Sequence, residues 1–155
     1  MVLSQLFEKT SGKLTFNEFE KIFAEFHKLR KPSVDAIADL ALENFVEMRD
    51  KVSDESFLRL KKIEQKLEQK FPEKFRSRYS MVCYGSCAEG NVTYANAFKL
   101  TEKIRELSAK LNHIQDLESE AGEAQLLAEG EKLIDEMILP ETQKLEMDLS
   151  TMLKA

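Results

Sequence analysis

From Phe16 onward helical periodicity dominates this chain, with large apolar side chains recurring at three- and four-residue spacing in one segment after another. That is the helical period, so most of the chain is constrained to amphipathic α-helices, each burying one stripe. Phe16, Phe19, Ile22, Phe23, Phe26 and Leu29 form one such stripe, opened by Thr15 and Glu18 at capping-box spacing. A shorter helix is expected over 2–9, followed by a turn at 10–13. Pro32 is expected to end the second helix near Arg30, with Ser33 capping a third that runs to about Lys51. Ser53 or Asp54 caps a fourth to about Lys70, carrying Phe57, Leu60, Ile63 and Leu67.

Residues 78–84 read as a short extended segment, but no second strand is present for it to pair with. After a loop at 85–91, Thr93 opens a helix bearing Tyr94, Ala97, Leu100 or Thr101, Ile104, Leu107 and Leu111. A long amphipathic helix is expected over 116–139, with Leu117, Ala121, Ala124, Leu127, Leu133, Ile134, Met137 and Ile138 on its apolar face. Gly122 and Gly130 weaken it by roughly 1 kcal/mol each relative to Ala. Pro140 breaks or kinks it, and Leu145, Leu149 and Met152 continue the stripe. The expected fold is all-α, an irregular bundle of about five to seven helices. Residues 1–112 form its main helical region, and 113–155 form an acidic tail that packs on it or self-associates.

With 155 residues, 43% of them apolar, and ten Phe, the chain can build one domain with a modest core. Its net charge of −5 lacks the basic footprint of a nucleic-acid binder. The lysines and arginines of 59–78 alternate with Glu64, Glu68 and Glu73, as on a solvated helix face. No run approaches the ~20 apolar residues of a membrane span, and no signal peptide opens the chain, so a cytoplasmic location is expected. Cys83 and Cys87 are too few for a disulfide framework, and no second Cys/His pair accompanies them for zinc; two free thiols are expected. His27 and His113 lie far apart and are expected on solvated surfaces.

Wound as a helix, 36–50 (AIADLALENFVEMRD) gathers Leu40, Ile37, Met48, Ala41, Phe45 and Ala38 into one arc. Asn44 falls inside that arc, and Glu47 sits on its border. A buried amide without partners costs roughly 1–3 kcal/mol, so an Asn there needs a partner from the protein, from water or from a ligand. A satisfied structural Asn is the plain reading. The wording of 31–58, KPSVDAIADLALENFVEMRDKVSDESFL, and of 71–82, FPEKFRSRYSMV, adds another. Together they resemble the C-terminal region of kynurenine 3-monooxygenase, an FAD-dependent aromatic hydroxylase. Residues 45–50 and 79–82 carry most of the specificity.

The resemblance implies that Asn44 and Tyr79 help to hold the carboxylate of L-kynurenine, with Glu47 and Met48 lining the same pocket. An Arg and a second Tyr would come from an upstream domain. In the complete enzyme it implies NADPH- and O2-dependent hydroxylation of L-kynurenine to 3-hydroxykynurenine at FAD. The glycines at 12, 85, 90, 122 and 130 form no G-x-G-x-x-G motif, so no flavin site is read in this chain alone. Both Asn44 and Tyr79 are neutral, and the strong partner of a buried carboxylate is a bidentate Arg. The chain is therefore expected to be inactive alone and to complete a site on an FAD-binding domain or chain. The sequence departs from the family after Val82, where CYGSCAEGNVTYANAF carries a longer loop and Thr93 stands in place of Pro. A competing reading is a free-standing helical interaction protein that lost catalysis and oligomerises through its C-terminal helices.

Overall fold

Thr15 opens the longest helix: its backbone N–H and its hydroxyl both donate to the Glu18 carboxylate, at 2.6 and 2.8 Å. The structure, a computed structural model, describes residues 2–9, 14–85 and 90–154. The turn expected at 10–13 and most of the loop at 85–91, with Cys87, lie outside the described residues. In chain order the helices are α1 (Val2–Glu8), α2 (Phe16–Val46), α3 (Glu55–Lys70), α4 (Arg78–Tyr84), α5 (Tyr94–Lys110), α6 (Glu120–Leu133) and α7 (Leu139–Lys144). Single wide turns, Glu47–Lys51 and Ile134–Ile138, close α2 and join α6 to α7. Among the described residues there is no strand, and the fold is an all-α irregular bundle. No helix among them is long and apolar enough to cross a membrane.

Three local expectations are corrected. Pro32 does not end a helix: α2 runs through it for 31 residues. Proline removes one N–H and leaves the carbonyl four residues back unbonded. Its neighbours here are exposed, so water can serve the Lys28 carbonyl, while packing of α2 against α5 holds the helix together. Residues 78–84 are not extended but form α4. Ser77 caps this helix, its hydroxyl accepting from the Ser80 N–H at 3.3 Å, and Arg78 and Met81 are buried at helical spacing. Side-chain propensity toward strand is weak, and tertiary burial overrides it.

The third correction concerns the tail. Ala121 and Ala124 are exposed and Leu127 is half-buried, whereas Leu126, Gly130, Ile134 and Ile138 face inward. The inward stripe is set by where α6 meets α3. A Cβ added at Gly130 would lie 2.3 Å from Leu67 Cδ2, so the glycine is a packing site. Pro140 interrupts the helical bonding, and the wide turn Ile134–Ile138 directly before it absorbs the missing donor.

One core unites α3, α4, α5 and the tail. Ile63 and Leu67 of α3, Phe75, Met81 of α4, Leu100, Ile104 and Leu107 of α5, and Leu126, Ile134 and Ile138 of the tail are all buried in it. Asp54 caps α3, accepting from the Ser56 N–H at 2.9 Å. Arg59 ties α3 to the end of α5, donating to Asn112 Oδ1 and to the carbonyls of Ile114 and Gln115. The packing at Gly130 gives a test of sign. Helix propensity alone predicts that Gly130→Ala stabilises by about 1 kcal/mol. Because Leu67 is fully buried and cannot swing aside, we expect a loss of about 1–3 kcal/mol instead, measured by urea unfolding.

Candidate functional site

Glu43 and Glu47 stand one helical turn apart at the end of α2 and converge on a single guanidinium. Arg78 Nη1 donates to Glu43 Oε2 at 2.6 Å, and Nη2 donates to Glu47 Oε2 at 2.5 Å. Arg105 of α5 donates to the same Glu43 oxygen at 2.6 Å and lies 3.7 Å from Glu47 Oε1. Arg78 and Glu47 are buried, and Glu43 is half-buried. Chain connectivity then places the neighbours: Asn44 directly follows Glu43, and Tyr79 directly follows Arg78.

These residues open onto a groove of about 420 Å³ between α2, α3 and α4, lined by Asn44, Glu47, Met48, Phe57, Glu64 and Tyr79 among others. A smaller hollow of about 260 Å³ adjoins it. Asn44, Arg78 and Tyr79 contribute to both, and Ile37, Leu40, Val82 and Cys83 complete the smaller one. All four residues singled out from the sequence therefore share one groove. Their burial differs from the sequence reading. The face of α2 turned inward is Ile22, Ala36, Leu40 and Glu47, so Asn44 is exposed rather than enclosed in an apolar arc. Phe45, Met48 and Tyr79 around it are 58%, 64% and 70% exposed.

Two titratable groups in the groove are perturbed. Glu64 of α3 is buried, and desolvation pushes its carboxyl up against the opposing pull of Lys61, whose Nζ lies 3.1 Å away. A hydrogen bond with the Cys83 thiol, one turn along α4, holds the Tyr79 phenol above its ordinary range. Cys83 itself is a free, exposed thiol.

Sequence reasoning missed Arg78, Glu43, Glu64 and Lys61. The signal was available for the first two: reading 78–84 as a helix turns Arg78 to the same side as Met81, toward the i, i+4 pair Glu43 and Glu47. Glu64 and Lys61 were absorbed into a solvated face, because Glu64 is buried beside Glu47 and Arg78, residues distant in the chain.

The site is thus an open groove on a helical unit, combining two uncharged donors, an ion cluster whose charges are paired, and exposed apolar side chains. No family model matches the chain, and no solved structure matches it. Curated relatives do. The chain is similar to the kynurenine 3-monooxygenase of Myxococcus xanthus, with 41% identity over 122 residues, 76% of this chain and 24% of that protein. The enzyme of the same name from Cytophaga hutchinsonii is 40% identical over 114 residues, 74% of this chain and 24% of its own length. That of Flavobacterium psychrophilum reaches 51% over 49 residues. The resemblance read in 31–82 is thereby shown, and the chain spans about a quarter of the length of the first two relatives.

Glu64 gives the groove a pH signature. A carboxyl raised in the folded state binds its proton over a wider range there than when unfolded, so stability falls as pH climbs above its ordinary value of 4.5. Comparing urea unfolding of wild type and Glu64→Gln across pH 4 to 8 should show wild type losing stability relative to the variant on the way up. Parallel curves would contradict the burial of an under-compensated carboxylate.

Proposed function

We propose that this chain is the C-terminal, substrate-site portion of a kynurenine 3-monooxygenase-like flavoprotein. Asn44 and Tyr79 donate to the carboxylate of L-kynurenine, while Glu47 and Met48 form the adjoining wall. The observation that carries the reading is the open groove: both donors and Met48 line one cleft, and Phe45, Met48 and Tyr79 beside it stay more than half exposed among the described residues. Lone soluble domains rarely leave such a contiguous apolar face, so a further domain seated there accounts for it. The competing reading expects the tail or a second copy to cover this face. Leu126, Ile134, Ile138, Leu149 and Met152 of the tail lie in the chain's own core, so a second copy seated on the groove is the outcome that would favour that reading.

The complete family enzyme uses FAD and NADPH, and the residues present do not fit the flavin. Its pyrophosphate needs an open backbone cradle, commonly glycine-built. Each of the four described glycines packs against protein: Gly85 on Val92, Gly90 on Asp148, Gly122 on Asp116 and Gly130 on Leu67. In this reading FAD and NADPH are held by the FAD-binding part of the complete enzyme. The groove residues orient the aromatic amino acid, and orientation is their share of the catalysis.

Replacing the matching stretch of the Myxococcus xanthus enzyme with this chain tests the proposal. The chimera should purify with flavin and hydroxylate L-kynurenine. Within it, Asn44→Ala and Tyr79→Phe should each raise KM for L-kynurenine by about tenfold or more, the cost of one hydrogen bond to a charged group. A folded chimera that hydroxylates nothing, or variants with unchanged KM, would overturn the reading.

A further inference from the structure

We infer that Arg78 is a positioning residue, whose bridge to Glu43 and Glu47 sets α4 against α2 so that Tyr79 and Asn44 share one hollow. The inference rests on the reading of that groove as a site for an amino-acid carboxylate.

The helix α4 has seven residues, too few to hold a helical conformation or a fixed orientation unaided. Its fully buried apolar anchor is Met81, and a flexible thioether packs adaptably without specifying rotation about the helix axis. A guanidinium grasping two carboxylates does specify it. Two bonds to residues one turn apart on α2 fix both how far α4 slides along α2 and how it is rolled. Because Asn44 follows the first of those carboxylates and Tyr79 follows the guanidinium, fixing one pair fixes the other. Arg105 holds Glu43 from the α5 side, so the bridge is anchored to the bundle rather than to α2 alone.

The same geometry distinguishes positioning from binding. Both terminal nitrogens of Arg78 are occupied, and its two carboxylates are shared with a second guanidinium, so the cluster is neutral. Arg78 therefore has no uncommitted charge for an incoming carboxylate, which is left to the neutral donors beside it. Lysine is not an equivalent: a point charge on a flexible stem cannot hold two carboxylates in a fixed fork.

The test uses NMR of the Asn44 side-chain amide and the Tyr79 ring in the full chain, with L-kynurenine as the probe of binding by the chimera with the Myxococcus xanthus enzyme. Arg78→Lys should displace both sets of resonances and weaken L-kynurenine binding by about tenfold. Glu43→Gln, at a partly exposed carboxylate, should displace the same resonances and carries the test if Arg78→Lys does not fold. Ile63→Val, which loosens the core elsewhere, should leave them in place. Undisturbed resonances in a folded Arg78 or Glu43 variant overturn the inference. So does equal L-kynurenine affinity for wild type and Arg78→Lys, an outcome that leaves the functional reading standing. Displaced resonances together with a folded, flavin-loaded chimera that takes up no L-kynurenine support the positioning role and remove the functional reading instead.

Discussion

The ion cluster around Arg78 joins α2, α4 and α5 through their side-chain charges. Taking ions out of water costs several kcal/mol each, so the cluster forms only because each charge meets an opposite one at close range. Arg78 answers Glu43 and Glu47, and Arg105 answers Glu43 from outside. Beneath it the apolar core of α3, α5 and the tail supplies the bulk of the stability. The cluster supplies geometry, which apolar packing by itself would leave loose.

The surface around the cluster is unusual for a chain with an ordinary core. Helix α2 buries Ile22, Ala36 and Leu40 on one side and leaves Phe16, Phe23, Val34 and Phe45 exposed on another. A helix apolar on two faces is normally enclosed on both. The chain aligns with about a quarter of the length of the first two relatives, and the exposed apolar face of α2 lies opposite its buried one. The groove lies on that open side, which is why its donors are exposed while the ions that hold them in place are not.

Several features were legible in the residues themselves. The caps at Thr15, Asp54 and Thr93 and the stripe on α5 follow from local hydrogen bonding and the helical period. Segment 78–84 was misread because Tyr, Val and Cys favour strands, while the cap at Ser77 and the burial of Arg78 and Met81 favour a helix. Pro32 was read as a break because its effect is local and the packing of α2 on α5 is not. For the candidate site, the wording of 31–58 and 71–82 singled out Asn44, Glu47, Met48 and Tyr79, which line one groove. It could not reveal that Asn44 is exposed, or that Glu47 is engaged by Arg78.

By itself the sequence determined the helical class, the main caps and the kinship with a flavin hydroxylase, since each is written in short-range spacing or in shared wording. The tertiary structure alone decided which face of α2 turns inward, that Gly130 is a contact for Leu67, and that Arg78 meets Glu43 and Glu47. Those outcomes depend on side chains more than thirty residues apart, whose encounter is set by the packing of whole helices and leaves no mark in local periodicity.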